Sequence, residues 1–285
     1  MRKLLITGCN GQLGRALNEE YKEEYNSKKV DIINTDVDDL DISSIDAVMA
    51  FVREAKPDVV INCGALTAVD LCETKPDEAF LANAIGPRNL SVAAEEIGAK
   101  IVQLSTDYVF SGDASRPYIE TDQPGPKSVY GATKLAGEGF VEQFAKRHFI
   151  IRTAWLYGEG KNFVETMLRL AQKNDMVRVV SDQVGTPTSA AWLAKMIHAL
   201  EPTDNYGLFH GTCEGSCSWA DFAVEIFRQA NQPVHVEYIT TEEFGAAAPR
   251  PAYSILDNRM LRLTTDFRMA DWQHALTEYM KRRTV

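Results

Sequence analysis

The sequence predicts an α/β protein: a doubly wound parallel sheet followed by a smaller, mostly helical lobe. Three observations carry that prediction. Short apolar runs alternate with helix-length stretches through the first 155 residues. Those runs are continuous in Val, Ile and Leu, which marks strands buried on both faces. A glycine-rich turn joins the first run to the first helical stretch. Strands alternating with helices imply parallel pairing through right-handed crossovers.

Residues 3–7 give the first strand, and 11–25 a helix carrying Leu13, Ala16 and Leu17 before it turns strongly charged. The second strand is 30–34. Residues 45–55 have helical spacing in Ile45, Val48, Met49 and Val52, and Pro57-Asp58 punctuates them. The third strand is 59–62. Residues 78–97 are helical, in two pieces broken near Gly86-Pro87, and the fourth strand is 100–104. A long helix over 129–144 leads to the fifth strand, 149–153. Beyond residue 155 the pattern loosens into helices at 163–172, 189–200, 218–229 and 271–283. Ser218 caps the third of these, with Asp221 three residues on. Lys281, Arg282 and Arg283 lie in the last turn of the fourth, where cations suit the helix dipole. The expected division assigns 1–155, with returning segments near 180–212, to the sheet domain, and 156–179 with 213–285 to the lobe. No flexible linker separates them, so they pack around a shared cleft.

A chain of 285 residues is long enough to bury a full core. Its 45% apolar and 25% charged residues are ordinary for a soluble globular protein. No run reaches the ~18 apolar residues that cross a bilayer. The first residues lack a signal-peptide pattern, so a cytoplasmic location is expected. A net charge of -10 argues against a nucleic-acid partner. It leaves room for a small anionic ligand held by local amides. Cys9, Cys63, Cys72, Cys213 and Cys217 are odd in number and expected as reduced thiols. Cys213 and Cys217 lie near His210, but no second ligand pair follows at metal spacing, so no metal is expected.

Gly8-Cys9-Asn10-Gly11-Gln12-Leu13-Gly14 stands between the first strand and the first helix. Gly8 permits the tight turn, Gly11 the close approach of a pyrophosphate, and Gly14 the packing of helix on strand. The helix N-terminus offers free N–H groups to the phosphates. Gly8, Asn10, Gly11, Gln12, Leu13 and Gly14 are therefore candidate dinucleotide-binding residues of a Rossmann-type fold. Asp36 lies 22 residues past Gly14, close to the ~20 expected of a ribose-binding acid. It favours NADH over NADPH, against which stands Arg15, directly after the last glycine. Asp41 and Ile42 follow where an acid and an apolar residue hold an adenine.

Tyr130 and Lys134 form Y-x-x-x-K, so both side chains lie on one helical face. A nearby ammonium favours the phenolate and lowers the Tyr pKa. Tyr130 then exchanges a proton with a carbonyl or alcohol oxygen. Ligands of such folds bind beyond the carboxyl ends of the strands. That places a hydroxyl from Ser105 or Thr106, at the end of the fourth strand, beside the reacting oxygen.

These residues resemble the extended short-chain dehydrogenase/reductases and, within them, the dTDP-4-dehydrorhamnose reductases. The resemblance covers nearly the whole chain. It runs through the glycine loop, Asn62-Cys63-Gly64-Ala65-Leu66-Thr67-Ala68-Val69-Asp70, Ser105-Thr106-Asp107-Tyr108-Val109-Phe110 and the segment from Val129 to Glu138. It continues in Arg152-Thr153-Ala154-Trp155-Leu156-Tyr157-Gly158, Asp182-Gln183-Val184-Gly185-Thr186-Pro187-Thr188 and Arg250-Pro251.

The resemblance implies a catalytic set of Thr106, Tyr130 and Lys134, a site lined by Asp107 and Tyr108, and a nucleotide-sugar substrate. It implies that Cys63, Gly64 and Ala65, with Asn62 and Asn83, hold cofactor or active-site water. Val69 and Trp155 would meet the sugar, and Arg250 a substrate phosphate, which suits its fork geometry. Some members build a metal-linked dimer from carboxylates at positions that here are Ala16 and Ala191, so no such metal is expected. Monomer and homodimer stay open. The implied activity is reduction of dTDP-4-dehydro-L-rhamnose with NADH or NADPH. The alternatives are another nucleotide-sugar reductase or epimerase, or a non-catalytic regulatory subunit of methionine adenosyltransferase.

Overall fold

The first apolar run forms β1 (Arg2–Thr7), and its side chains divide between two cores. Leu4 and Ile6 enter one cluster and Leu5 the other, as period-2 geometry requires of a strand covered on both faces. The same alternation holds in β3 (Val59–Asn62), β4 (Lys100–Thr106) and β5 (His148–Thr153), which follow β2 (Val30–Thr35) in the chain. Helices Gln12–Glu20 and Ala190–Leu200 close one face through Leu13, Leu17, Leu193 and Ile197. Helices Ile45–Ala55, Gly86–Ile97 and Val129–Phe144 close the other through Val48, Val52, Leu90 and Val141.

The computed structural model describes residues 1–245 and 248–283. The chain continues in β6 (Leu156–Tyr157), β7 (Met176–Val180), β8 (Val184–Gly185), β9 (Thr188–Ser189), β10 (Gly207–His210), β11 (Cys217–Ser218) and β12 (His235–Ile239). The main sheet has the order β10-β5-β4-β3-β1-β2, and every pair in it is parallel. The fold is thus the doubly wound one expected. The sixth strand, β10, returns from the second half of the chain and brings Leu208 and Phe209 to the cores.

The second half of the chain carries more sheet than its sequence suggests. β7 and β12 pair in parallel over five residues each, and β6–β9 and β8–β11 make two short pairs. The capping box of Ser218 and Asp221 opens helix Trp219–Gln229 as read from sequence. Two helix expectations differ. The stretch 11–25 divides, because helix Gln12–Glu20 turns at Tyr21 before Lys22–Asn26. The break near Gly86-Pro87 does not occur: a π turn, Leu81–Ile85, carries Pro76–Phe80 into Gly86–Ile97. Gly86-Pro87 follows directly on that π turn.

Candidate active site

Four segments meet at the carboxyl edge of the sheet: the loops after β1 and β3, the end of β4, and the start of helix Val129–Phe144. β4 runs two residues further than its apolar core, so Ser105 and Thr106 are strand residues. Neighbours on a strand face opposite ways, which decides between the two hydroxyls. Ser105 donates backward to Glu138. Thr106 faces forward, where it donates to Asp107 Oδ1 at 2.9 Å and accepts from the Tyr108 amide at 3.2 Å.

The helix that carries Tyr130 is pinned at its first turn. Ser128 caps it by accepting from the Gly131 amide at 3.1 Å. A Cβ at Gly131 would lie 2.1 Å from the Tyr108 carbonyl, so glycine alone fits this approach. Tyr108 meets the Tyr130 ring edge-on at 5.4 Å. Tyr130, Lys134 and Glu138 follow at four-residue spacing on one face. Lys134 Nζ donates to the Leu104 carbonyl. Burial pulls its pKa down to about 8, against the opposing pull of Glu138 and Cys63. Burial also raises Tyr130 well above the ordinary phenol range, and Asp107 and Tyr108 add to the rise. The Lys134 ammonium is directed at Leu104, and burial sets the direction at Tyr130. Asp107 is buried and pushed up to about 6, a rise that the hydrogen bond from Thr106 restrains.

The glycine loop has the shape a pyrophosphate needs. Gly8 has φ +64, and a Cβ there would sit 2.7 Å from the Gly64 amide, so the loops after β1 and β3 touch. Gly11 precedes helix Gln12–Glu20 with no side chain capping its N–H groups. The buried Gln12 Oε1 has no hydrogen-bond partner. An open helix start and a loop that glycines keep clear for close approach fit a bound dinucleotide phosphate. Leu13 buries its side chain in the core, which leaves its amide to the loop. Asp36 stands beside the loop and accepts from the Asn10 amide at 3.0 Å. Arg15 is turned away to the Asn10 carbonyl at 2.9 Å and Glu159 at 2.6 Å. Asp41 accepts from the amide and hydroxyl of Ser43, a turn ahead of helix Ile45–Ala55. Ile42 packs against Gly86.

Asn62 and Asn83 spend their polar atoms on protein. Asn62 accepts from the Thr7 hydroxyl at 2.6 Å and the Gly64 amide at 3.1 Å, and donates to Gln103 at 2.7 Å. Asn83 grips both backbone groups of Leu66, at 2.8 and 3.0 Å, and donates to Thr133 at 3.2 Å. Together they fix the Cys63-Gly64-Ala65 loop against the catalytic helix.

On the lobe side, Trp155 has φ 48 and stacks on Trp219 with ring centroids 3.5 Å apart. Trp219 therefore covers one face of the ring expected to meet the sugar. Val69 is half-buried at the start of helix Val69–Thr74. Arg250 pairs with Asp70 at 3.0 Å, and its buried Nε has no partner. Sequence reasoning gave no role to Asp70, Trp219, Ser254 or the Glu138–Arg152 pair. None carries a local pattern, since each acts through a residue distant in the chain. Among the described residues, no three His, Cys, Asp or Glu side chains are grouped to hold a metal ion, and no helix is long and apolar enough to cross a membrane.

All 285 positions, residues 1–285, match the family described as RmlD substrate binding domain. The chain belongs to that family. The spore coat polysaccharide biosynthesis protein SpsK of Bacillus subtilis (strain 168) is 39% identical over 285 residues, which are 100% of this chain and 99% of that protein. A crystal structure of a dTDP-4-dehydrorhamnose reductase from Clostridium acetobutylicum is 52% identical, with TM-score 0.97 over 99% of this chain and 100% of the other. A dTDP-4-dehydrorhamnose reductase from Bacillus anthracis, crystallised in complex with NADP, is 46% identical, with TM-score 0.95 over 99% and 100%. The RmlD-family chain thus shares its whole length with these solved structures.

Proposed function

We infer that this chain reduces dTDP-4-dehydro-L-rhamnose to dTDP-L-rhamnose with NAD(P)H, a step toward surface polysaccharide. The observation that carries the reading is Tyr130 and Lys134 one turn apart on helix Val129–Phe144, with Thr106 at the end of β4 and an open dinucleotide loop after β1. A carbonyl reduction needs a proton donor, and a phenol held above its ordinary pKa is one. Full-length membership of the family selects the sugar.

Gly8, Asn10, Gly11, Gln12, Leu13 and Gly14 hold the cofactor phosphates, Cys63-Gly64-Ala65 flanks the nicotinamide half, and Ile42 lies toward the adenine. Bound NAD(P)H supplies the hydride. Tyr130 gives its proton to the C4 oxygen, Thr106 orients that oxygen, and Lys134 holds the cofactor ribose and the position of Tyr130. Val69, Asp107, Tyr108 and the free side of Trp155 line the sugar, and Arg250 leaves Asp70 for the substrate diphosphate. The sheet portion, 1–155 with 180–212, takes the cofactor, and 156–179 with 213–285 the substrate. Asp36 beside the loop, with Arg15 drawn off to Glu159, favours NADH. The enzyme works in the cytoplasm as a monomer or homodimer, without a nucleic-acid partner.

The test is loss of reduced-nicotinamide absorbance when purified protein meets dTDP-4-dehydro-L-rhamnose. Consumption of one cofactor per sugar supports the reading. Cofactor that binds and stays reduced contradicts it, and turnover of other sugar nucleotides without net consumption would make the protein an epimerase.

A further inference from the structure

Trp155 stands between β5 and β6 in a backbone conformation that a large side chain rarely takes, with φ 48. Such strain costs energy, persists only where the surroundings over-determine it, and gathers at binding sites. The surroundings of Trp155 do so. Its carbonyl accepts from the Thr188 amide at 3.1 Å. Its Cε2 and Cζ2 lie 2.6 and 2.8 Å from the point that a Gly185 Cβ would occupy, so the indole fills the room of that missing side chain. Its ring lies on Trp219 with centroids 3.5 Å apart and planes 9° from parallel. Gly185 and Trp219 belong to one small unit. β8 and β11 pair Gly185 with Cys217 and Val184 with Ser218, and Trp219 is the next residue. The Ser218–Asp221 capping box fixes the backbone from which Trp219 projects, and Phe163 packs on the Trp219 ring at 4.6 Å.

We propose that Trp219 is a positioning residue for the substrate: it holds Trp155 in its left-handed conformation, so that the indole stands as an apolar wall for the deoxysugar. The proposal rests on the reductase reading, in which Trp155 meets the sugar. Burial of the two rings against each other offsets the backbone strain. The side of Trp155 turned from Trp219 is left for the carbon-bound hydrogens of a deoxysugar, which suit an aromatic face better than a row of hydroxyls does. Without a flat ring at position 219 nothing offsets the strain. Trp155 then relaxes toward an extended backbone, and its indole leaves the pocket wall. Trp219 itself stays out of the reaction: its ring contacts are Trp155, Phe163 and Phe222. Its loss therefore weakens sugar binding and leaves proton transfer and cofactor binding as they are.

The experiment is a double-substitution cycle. Trp219→Met, which fills space without a flat ring, is compared with Trp155→Met and with both changes together. Trp219→Met should raise KM for dTDP-4-dehydro-L-rhamnose about tenfold or more, the scale of a lost apolar contact. Its kcat should stay within about threefold and its NADPH affinity within about twofold. Trp155→Met should raise KM at least as much. The two losses should not add, because Trp219 acts through Trp155. Trp219→Phe keeps a stacking ring and should hold KM within about threefold of the wild type. Proton NMR adds a readout that needs neither turnover nor a substituted protein: the indole protons of Trp155, lying over the Trp219 face, should resonate upfield of the usual indole range. In Trp219→Met they should return toward it. Additive losses, an unchanged KM in Trp219→Met, a loss in kcat in place of KM, or indole protons at ordinary positions in the wild type would overturn the proposal. A wild type that binds NADPH yet leaves the sugar unreduced contradicts the reductase reading instead, and the same cycle is then read from equilibrium binding of dTDP-4-dehydro-L-rhamnose. No binding there overturns the proposal as well.

Discussion

Ser105 and Thr106 are consecutive, yet their hydroxyls end in two unlike places. Behind β4, Ser105 and both forks of Arg152 converge on Glu138, with Arg152 at 2.9 and 2.6 Å. Glu138 is 4% and Arg152 3% exposed, and the guanidinium lies 5.0 Å over the Phe110 ring. Charge there is cancelled by pairing, with one guanidinium nitrogen left without a partner. In front of β4, Thr106 donates to Asp107, whose far oxygen is buried without a partner, and Tyr130 and Lys134 follow on helix Val129–Phe144. Their affinities for protons move accordingly: Tyr130 and Asp107 up, Lys134 down. The lesson is that one strand end separates anchoring from chemistry. Saturated polar groups hold the catalytic helix, and unsaturated ones are left free to exchange protons.

Substitutions that hit one side should leave the other readable. The largest effect is expected from Tyr130→Phe, which removes the proton donor but little volume. Turnover should fall by about 10²–10⁴-fold, while NADPH affinity by fluorescence titration stays within about twofold. A mutant that keeps a tenth of its activity would break the comparison at its front side.

Arg152→Met acts on the rear. It leaves Glu138 buried and uncompensated, which should cost about 3–5 kcal/mol in urea unfolding. Glu138→Gln with Arg152→Met should recover much of that loss. Stability unchanged by the single substitution would mean that the buried pair anchors nothing.

A smaller effect is expected from pH. Burial penalises the charged form of Lys134, so its proton leaves near 8 rather than in the usual lysine range. Cofactor affinity should therefore weaken as pH rises through about 8, and Lys134→Met should bind weakly and without that dependence. Stability runs the other way. The unfolded chain holds the Lys134 proton to higher pH than the folded one, so this group's contribution favours folding increasingly as pH climbs above 8.

The smallest expected change is in cofactor choice. Asp36→Asn removes the carboxylate beside Asn10 and should raise the NADPH-to-NADH ratio of kcat/KM about tenfold, equivalent to ~1.4 kcal/mol. An unchanged ratio would move the selector elsewhere.

The sheet was legible because its strands are covered on both faces: every residue of Val59–Asn62 is buried, so the apolar run is continuous. Met176–Val180 was not, since two of its residues are exposed and its partner strand begins at His235. The glycine loop and the Tyr130–Lys134 spacing are local, so their geometry follows from sequence. Period 2 states that Ser105 and Thr106 face apart, but which of them faces the site depends on where β4 lies in the sheet. Trp219 under Trp155, Asp70 on Arg250 and Arg152 on Glu138 are contacts made by folding, and no spacing announces them. Tyr130 shows the remaining gap: its neighbours were foreseen, but the desolvation that raises it is a property of the packed site.

The central claim is that this site reduces a dTDP-4-dehydro sugar with a proton from Tyr130. The most direct measurement follows reduced-nicotinamide absorbance with dTDP-4-dehydro-L-rhamnose, wild type beside Tyr130→Phe, under NADH and NADPH in turn. The account expects stoichiometric consumption by the wild type, faster with NADH, and almost none by the mutant. Cofactor bound by both proteins and oxidised by neither, or by both alike, would contradict it.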